Sequence, residues 1–149
     1  MTKNSWKKGR GKLGFLEPLI GIWIAEDDSP MGKYKCTRKF KKTLDGAYVQ
    51  LDAIWEFSNK TYVETAIFGL KNNQITFWSF TSDGKNSEGI LADGSDIHPE
   101  AICFVAQMPA GLARMIYWPR EDGFNWAVES KNKNGWNRFT EHYYTRSTY

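Results

Sequence analysis

The chain is poor in the residues that metal and redox chemistry require. Its 149 residues include two histidines and two cysteines. His98 and His142 have no cysteine or carboxylate at ligand-like spacing, so no metal site is expected. Cys36 and Cys103 are far apart in sequence and outside any CxxC context, and they read as free buried thiols. No apolar run approaches the roughly eighteen residues of a membrane-spanning helix. Glycine-rich phosphate loops and a nucleophile elbow are also missing, so no residue is assigned as catalytic. The basic opening runs into a polar, glycine-containing stretch instead of the apolar centre of a secretory signal, and the expected location is cytoplasmic.

Net charge is a mild +3. The basic residues concentrate at the start of the chain (Lys3, Lys7, Lys8, Arg10, Lys12) and on one segment (Lys33, Lys35, Arg38, Lys39, Lys41, Lys42). Nucleic-acid binding needs a denser basic face with aromatic platforms beside it. Neither a nucleic acid nor a membrane is therefore an expected partner.

Aromatic residues, by contrast, are abundant: they make up 15% of the chain, with seven tryptophans, against ordinary hydrophobic (41%) and charged (25%) fractions. Aromatic side chains suit pleated, half-buried surfaces and so favour an all-β fold. They also line cavities, because a rigid ring offers a large apolar face at low entropic cost. The length suits one domain with a core that needs no staples. Residues 1–12 read as a flexible basic tail and 13–149 as the folded domain.

Leu13, Leu16, Leu19 and Ile20 recur at three-to-four-residue spacing, which predicts one or two helical turns, interrupted by Pro18 and ended by Gly21. Turn signals then recur down the chain, at Ser29-Pro30-Met31-Gly32, Asp45-Gly46, Ser58-Asn59-Lys60, Lys71-Asn72-Asn73, Asp83-Gly84-Lys85, Asp93-Gly94-Ser95, Pro109-Ala110-Gly111, Glu121-Asp122-Gly123 and Asn132-Lys133-Asn134-Gly135. Asp-Gly and Asn-Gly pairs supply the positive φ of tight hairpin turns. These nine turns separate ten predicted strands. Consecutive hairpins make an antiparallel meander, and ten open strands would leave two long unpaired edges. Closure removes them, giving a single up-and-down β-barrel. The alternative is an open meander or a two-sheet sandwich. A sandwich needs a long inter-sheet connection, for which "DGSDIHPE" (93–100) is the one candidate.

Three features carry a family resemblance: a helical lead-in to Gly21-Ile22-Trp23, a ten-strand meander, and an aromatic last strand ending "HYYTR" (142–146). In these the chain resembles the calycin superfamily of lipocalins and fatty-acid-binding proteins. It is most similar to a bacterial branch of unknown function that opens with L-x-G-x-W. The resemblance implies a cavity for a small hydrophobic ligand. In a closed barrel the first and last strands are neighbours, so Trp23 and Arg146 are expected to stack, a cation–π contact worth about 0.5–2 kcal/mol. Gly21 would allow the sharp bend into the first strand.

Alternation assigns faces. Lys33, Lys35, Lys39 and Lys41 take the solvent side of the second strand, which turns Tyr34, Cys36, Arg38 and Phe40 inward. An interior guanidinium is costly unless it is paired, so Arg38 is expected to meet a carboxylate or an anionic ligand. Arg114 alternates with Leu112, Ile116 and Trp118 and is read as inward too. Trp136, Arg138, His142, Tyr144 and Arg146 are read as sharing one face. His142-x-Tyr144 resembles the Arg-x-Tyr carboxylate grip of fatty-acid-binding proteins. Phe124, Trp126 and Val128 form one apolar wall, and Val49, Leu51, Ala53 and Trp55 another. Asp52, Glu56 and Glu64 are assigned outward.

The expected function is binding of a small hydrophobic molecule with a polar or anionic end. Its contacts would be Tyr34, Arg38, Trp55, Arg114, Trp126, Arg138, His142 and Tyr144, and Gly21, Trp23 and Arg146 would close the barrel. The alternatives are a barrel enzyme of isomerase, cyclase or hydrolase type and a haem-binding barrel; otherwise no cofactor is expected. The barrel would act as a monomer or homodimer.

Overall fold

Strong alternation along Gly32–Thr43, with lysine outside and aromatic or apolar residues inside, sets the inner face of one cylinder. The structure, a computed structural model, describes residues 6–29 and 32–147. The first five residues of the expected tail and the Pro30–Met31 part of the first turn lie outside the described residues. The strands are β1 (Gly21–Ser29), β2 (Gly32–Thr43), β3 (Tyr48–Phe57), β4 (Thr61–Lys71), β5 (Gln74–Thr81), β6 (Asn86–Ala92), β7 (Ile102–Met108), β8 (Gly111–Arg120), β9 (Gly123–Asn132) and β10 (Gly135–Arg146). Each pairs antiparallel with its sequence neighbours, and β1 pairs with β10, so the ten-stranded up-and-down barrel is closed. The 93–101 link is long, as expected, yet β6 and β7 remain neighbours and no crossing occurs.

The lead-in is a 3-10 helix, Gly14–Leu19, with Pro18 inside it. Its Leu16 and Leu19 are fully buried and plug one end of the cylinder. Above the plug, Phe40, Phe68, Phe77, Phe104 and Tyr117 pack edge-on and tilted at centroid distances of 5.3–6.3 Å, filling the lower interior. Trp23 binds plug and wall together. Its indole N–H donates to the Leu19 carbonyl at 2.7 Å, its ring meets Phe124 edge-on at 4.9 Å, and the Arg146 guanidinium lies 4.3 Å from its centroid. Trp23 and Arg146 are register partners. Gly21 has φ +135°, and a Cβ there would run into that guanidinium. Ahead of the helix, the Trp6 N–H donates to Glu100 at 2.7 Å.

Closure is short. β1 and β2 share nine register pairs, whereas among the described residues β1 and β10 share only Trp23↔Arg146 and Ile24↔Thr145, beside a Ser147 N–H bond to the Ile22 carbonyl. Continuing that register would set Asp27 opposite His142, but no pair forms there. The wall is therefore slit along its upper part.

The outer face of β2 is neutralised by its neighbours. Lys33 lies opposite Asp28, Lys35 opposite Glu26 and Glu56, and Lys39 opposite Asp52. The basic segment is thus half of a mixed-charge surface.

Candidate functional site

The upper interior is hollow. A cavity of about 870 Å³ opens beside the slit and is walled by Tyr34, Trp55, Trp126 and His142, with Asp27, Glu141, Lys60 and Phe139 at its rim. A smaller inner cavity of about 180 Å³ shares Trp126 and Val128 with it and reaches Arg38, Glu64 and Ser79. A site of this kind, concave and mostly apolar with few polar groups, is what small-molecule binding uses.

Arg38 sits between the floor and the cavities. It is 1% exposed. Its Nε donates to the Tyr144 hydroxyl and its Nη1 to the Tyr117 hydroxyl, each at 3.0 Å. Burial raises both phenols, Tyr117 to about 12 and Tyr144 well above its ordinary value, so each stays neutral. Nη2 is buried without a partner, and no carboxylate among the described residues forms an ion pair with Arg38. Aromatic faces surround the charge, with Trp126 4.2 Å and Trp55 5.6 Å from the guanidinium carbon. Rings attract a cation, each desolvated contact providing about 2 kcal/mol, and Trp55, Tyr117, Trp126 and Tyr144 together offset part of the several kcal/mol that burying an ion costs.

The four wall rings touch. Tyr34 lies 4.5 Å from His142, Trp55 5.2 Å from His142, and Trp126 5.5 Å from both Trp55 and His142. Trp126 Nε1 and His142 Nδ1 are also buried without partners. Burial first, and then the Arg38 charge, depresses His142 to about 4 from 6.5, leaving a neutral imidazole at neutral pH. The folded protein thus holds fewer protons here than the unfolded chain between these values. The stabilisation is complete above pH 6.5 and is lost as pH falls towards 4. Thermal melts between pH 7 and 4 are expected to show a steeper loss for the native protein than for His142→Gln, and equal slopes would contradict this.

Of the expected contacts, Tyr34, Arg38, Trp55, Trp126, His142 and Tyr144 all lie on the inner face around this region. Arg114 and Arg138 do not, and both require correction. On β8 the inward residues are Ala113, Met115 and Tyr117, register partners of Ala106, Phe104 and Ile102. Arg114, Ile116 and Trp118 have the opposite parity. Arg114 borders the inner cavity as part of the β8 wall, but its guanidinium is engaged outside it. It forks onto Asp96 at 2.7 and 3.1 Å, donates to Glu129 at 2.8 Å and lies 4.5 Å from the Trp136 ring. Arg138 binds the other Glu129 oxygen at 2.8 Å and Glu141 at 2.9 Å.

A β-bulge explains Arg138. It pairs with Glu129, while Thr140 pairs with the next residue, Val128, so Phe139 is the extra residue. An extra residue inverts the alternation beyond it. Arg138 and Trp136 therefore point out, and Thr140, His142 and Tyr144 point in. Phe139 itself is exposed at the cavity rim.

Sequence reasoning missed Tyr117 and Glu64. Glu64 pairs with Ala53, an inward residue, and shares parity with the buried Ala66 and Phe68, so the outward assignment is wrong for it. That shared parity was the available signal. Asp52 and Glu56 do face out. Cys36 and Cys103 are both free and buried, on opposite sides of the wall.

Comparison with protein-family models and with curated proteins finds no match to the chain.

Proposed function

We propose that the protein binds a small, largely apolar molecule whose anionic end is received by Arg38, in the manner of calycin barrels. The supporting observation is the buried guanidinium: a cation held by two neutral phenols, with one nitrogen unpartnered and no carboxylate among the described residues at ion-pair distance, bordering a pocket that shares Trp126 and Val128 with the aromatic-walled cavity. The aromatic wall would supply affinity at about 25 cal/mol per Å² of apolar surface buried. The anion would supply the missing counter-charge and place the molecule end-on. The slit beside Asp27 and His142 gives the cavity its opening to solvent.

Screening by tryptophan quenching and thermal shift against fatty acids, retinoic acid, phenolic acids and haem, each carboxylate paired with its methyl ester or alcohol, tests the reading. Acids are expected to raise the melting temperature more than their neutral counterparts. If esters and acids act alike, or if nothing binds, the reading fails.

A further inference from the structure

Arg38 does not face the inner cavity alone. Glu64 reaches the same space of about 180 Å³. Its Oε2 accepts a hydrogen bond from Ser79 Oγ at 2.6 Å, which fixes the carboxylate. No ion pair joins Glu64 to Arg38 although both line one small chamber. The chamber thus brings the Arg38 guanidinium and the Glu64 carboxylate together in a wall that is largely apolar, with Phe77, Phe104 and Met115 beside them.

A plain carboxylate bound at Arg38 would put two like charges into one small space, which is unfavourable. A hydroxyl or amine next to the ligand's anionic group turns the repulsion into a charge-assisted hydrogen bond. We infer that the ligand's head is bifunctional: an acid carrying an adjacent hydrogen-bond donor, with the acid on Arg38 and the donor on Glu64. Glu64 is then the residue that sets specificity, and Ser79 positions it. The size fits a head or a single ring and not a long chain, since a cavity of about 150 Å³ is enough to hold benzene. This inference rests on the proposed anion site at Arg38.

Its test is a titration of matched acids followed by tryptophan fluorescence. The probes are 3-phenylpropanoate and decanoate, each with its 2-hydroxy and 2-amino analogue. In the native protein the substituted acids are expected to bind at least about tenfold more tightly than the plain ones, the usual size of a hydrogen bond to a charged group. Glu64→Ala should abolish that preference while the plain acids bind as well as before or better. Glu64→Gln, which can keep the Ser79 bond, should lose the preference for the amines and keep part of that for the hydroxy acids. If plain and substituted acids bind the native protein alike, or if the preference survives in Glu64→Ala, the head-group inference is overturned. In that result, loss of plain-acid binding in Arg38→Met would leave the anion site standing. If no acid binds, or binding ignores Arg38→Met, both fall.

Discussion

Arg38→Met is expected to fold and to bind acids about a hundredfold more weakly than the native protein. The two halves of that result have separate causes. The weaker binding follows because the ligand's carboxylate would enter a buried site without a counter-charge. Truncating one partner of such a pair costs about 2–5 kcal/mol, and 2.7 kcal/mol corresponds to about a hundredfold in affinity. The retained fold follows because the empty barrel gains little from this arginine. Its charge is fully buried, meets no carboxylate and is held by two neutral hydroxyls. The substitution removes the cost of a buried charge but takes the donor from the Tyr117 and Tyr144 hydroxyls, so the melting temperature of the variant should stay within a few degrees of that of the native protein without ligand. A variant that melts far lower would show that Arg38 is structural. Unchanged affinity for acids would show that they bind elsewhere.

The second large effect is expected at the opposite end of the molecule. Trp23→Ala should destabilise the barrel by about 3–5 kcal/mol, the usual range for removing a buried aromatic side chain. At about 2–4 °C per kcal/mol for a domain of this size, the melting temperature should drop by about 6–20 °C. The indole ties three parts together: the plug through Leu19, the wall through Phe124 and the last strand through Arg146. Arg146→Met should cost far less, because its stacked guanidinium is exposed and such contacts are worth about 0.5–1 kcal/mol. Chemical denaturation of the three proteins side by side checks the order. Equal losses in Trp23→Ala and Arg146→Met would place the stability in the cation–π stack instead of in indole burial.

How far the sequence exposed these features depended on whether a strand had one apolar face or two. β2 alternates lysine with aromatic or apolar residues, so Arg38 could be placed inside from the sequence, and β3 continues the pattern through Leu51, Ala53 and Trp55. The meander and its closure followed from turn chemistry and from the need to remove edges. β8 misled because both its faces are covered. Ile116 points outward yet is fully buried, in a region where Gly94 of the 93–101 link lies against Cys103 and close to Ile116. Arg114 therefore alternated with apolar residues on the wrong side. On β10, counting by twos from Trp136 to Tyr144 fails at one inserted residue, and an exposed phenylalanine gives no local warning of it. Glu64 reads as outward with Asp52 and Glu56, although it shares parity with the buried Ala66 and Phe68. Tyr117 is one aromatic in the run Ile116-Tyr117-Trp118, and only the fold shows which ring reaches Arg38.

The partial seam between β1 and β10 has a mechanical consequence. A tube stitched along its whole length resists swelling in every direction, whereas one stitched only at the bottom has lost hoop stiffness above the stitches. Sideways spreading of the upper barrel would break neither Trp23↔Arg146 nor Ile24↔Thr145. A guest broader than the resting aperture would be accommodated by that yielding, with the floor left intact.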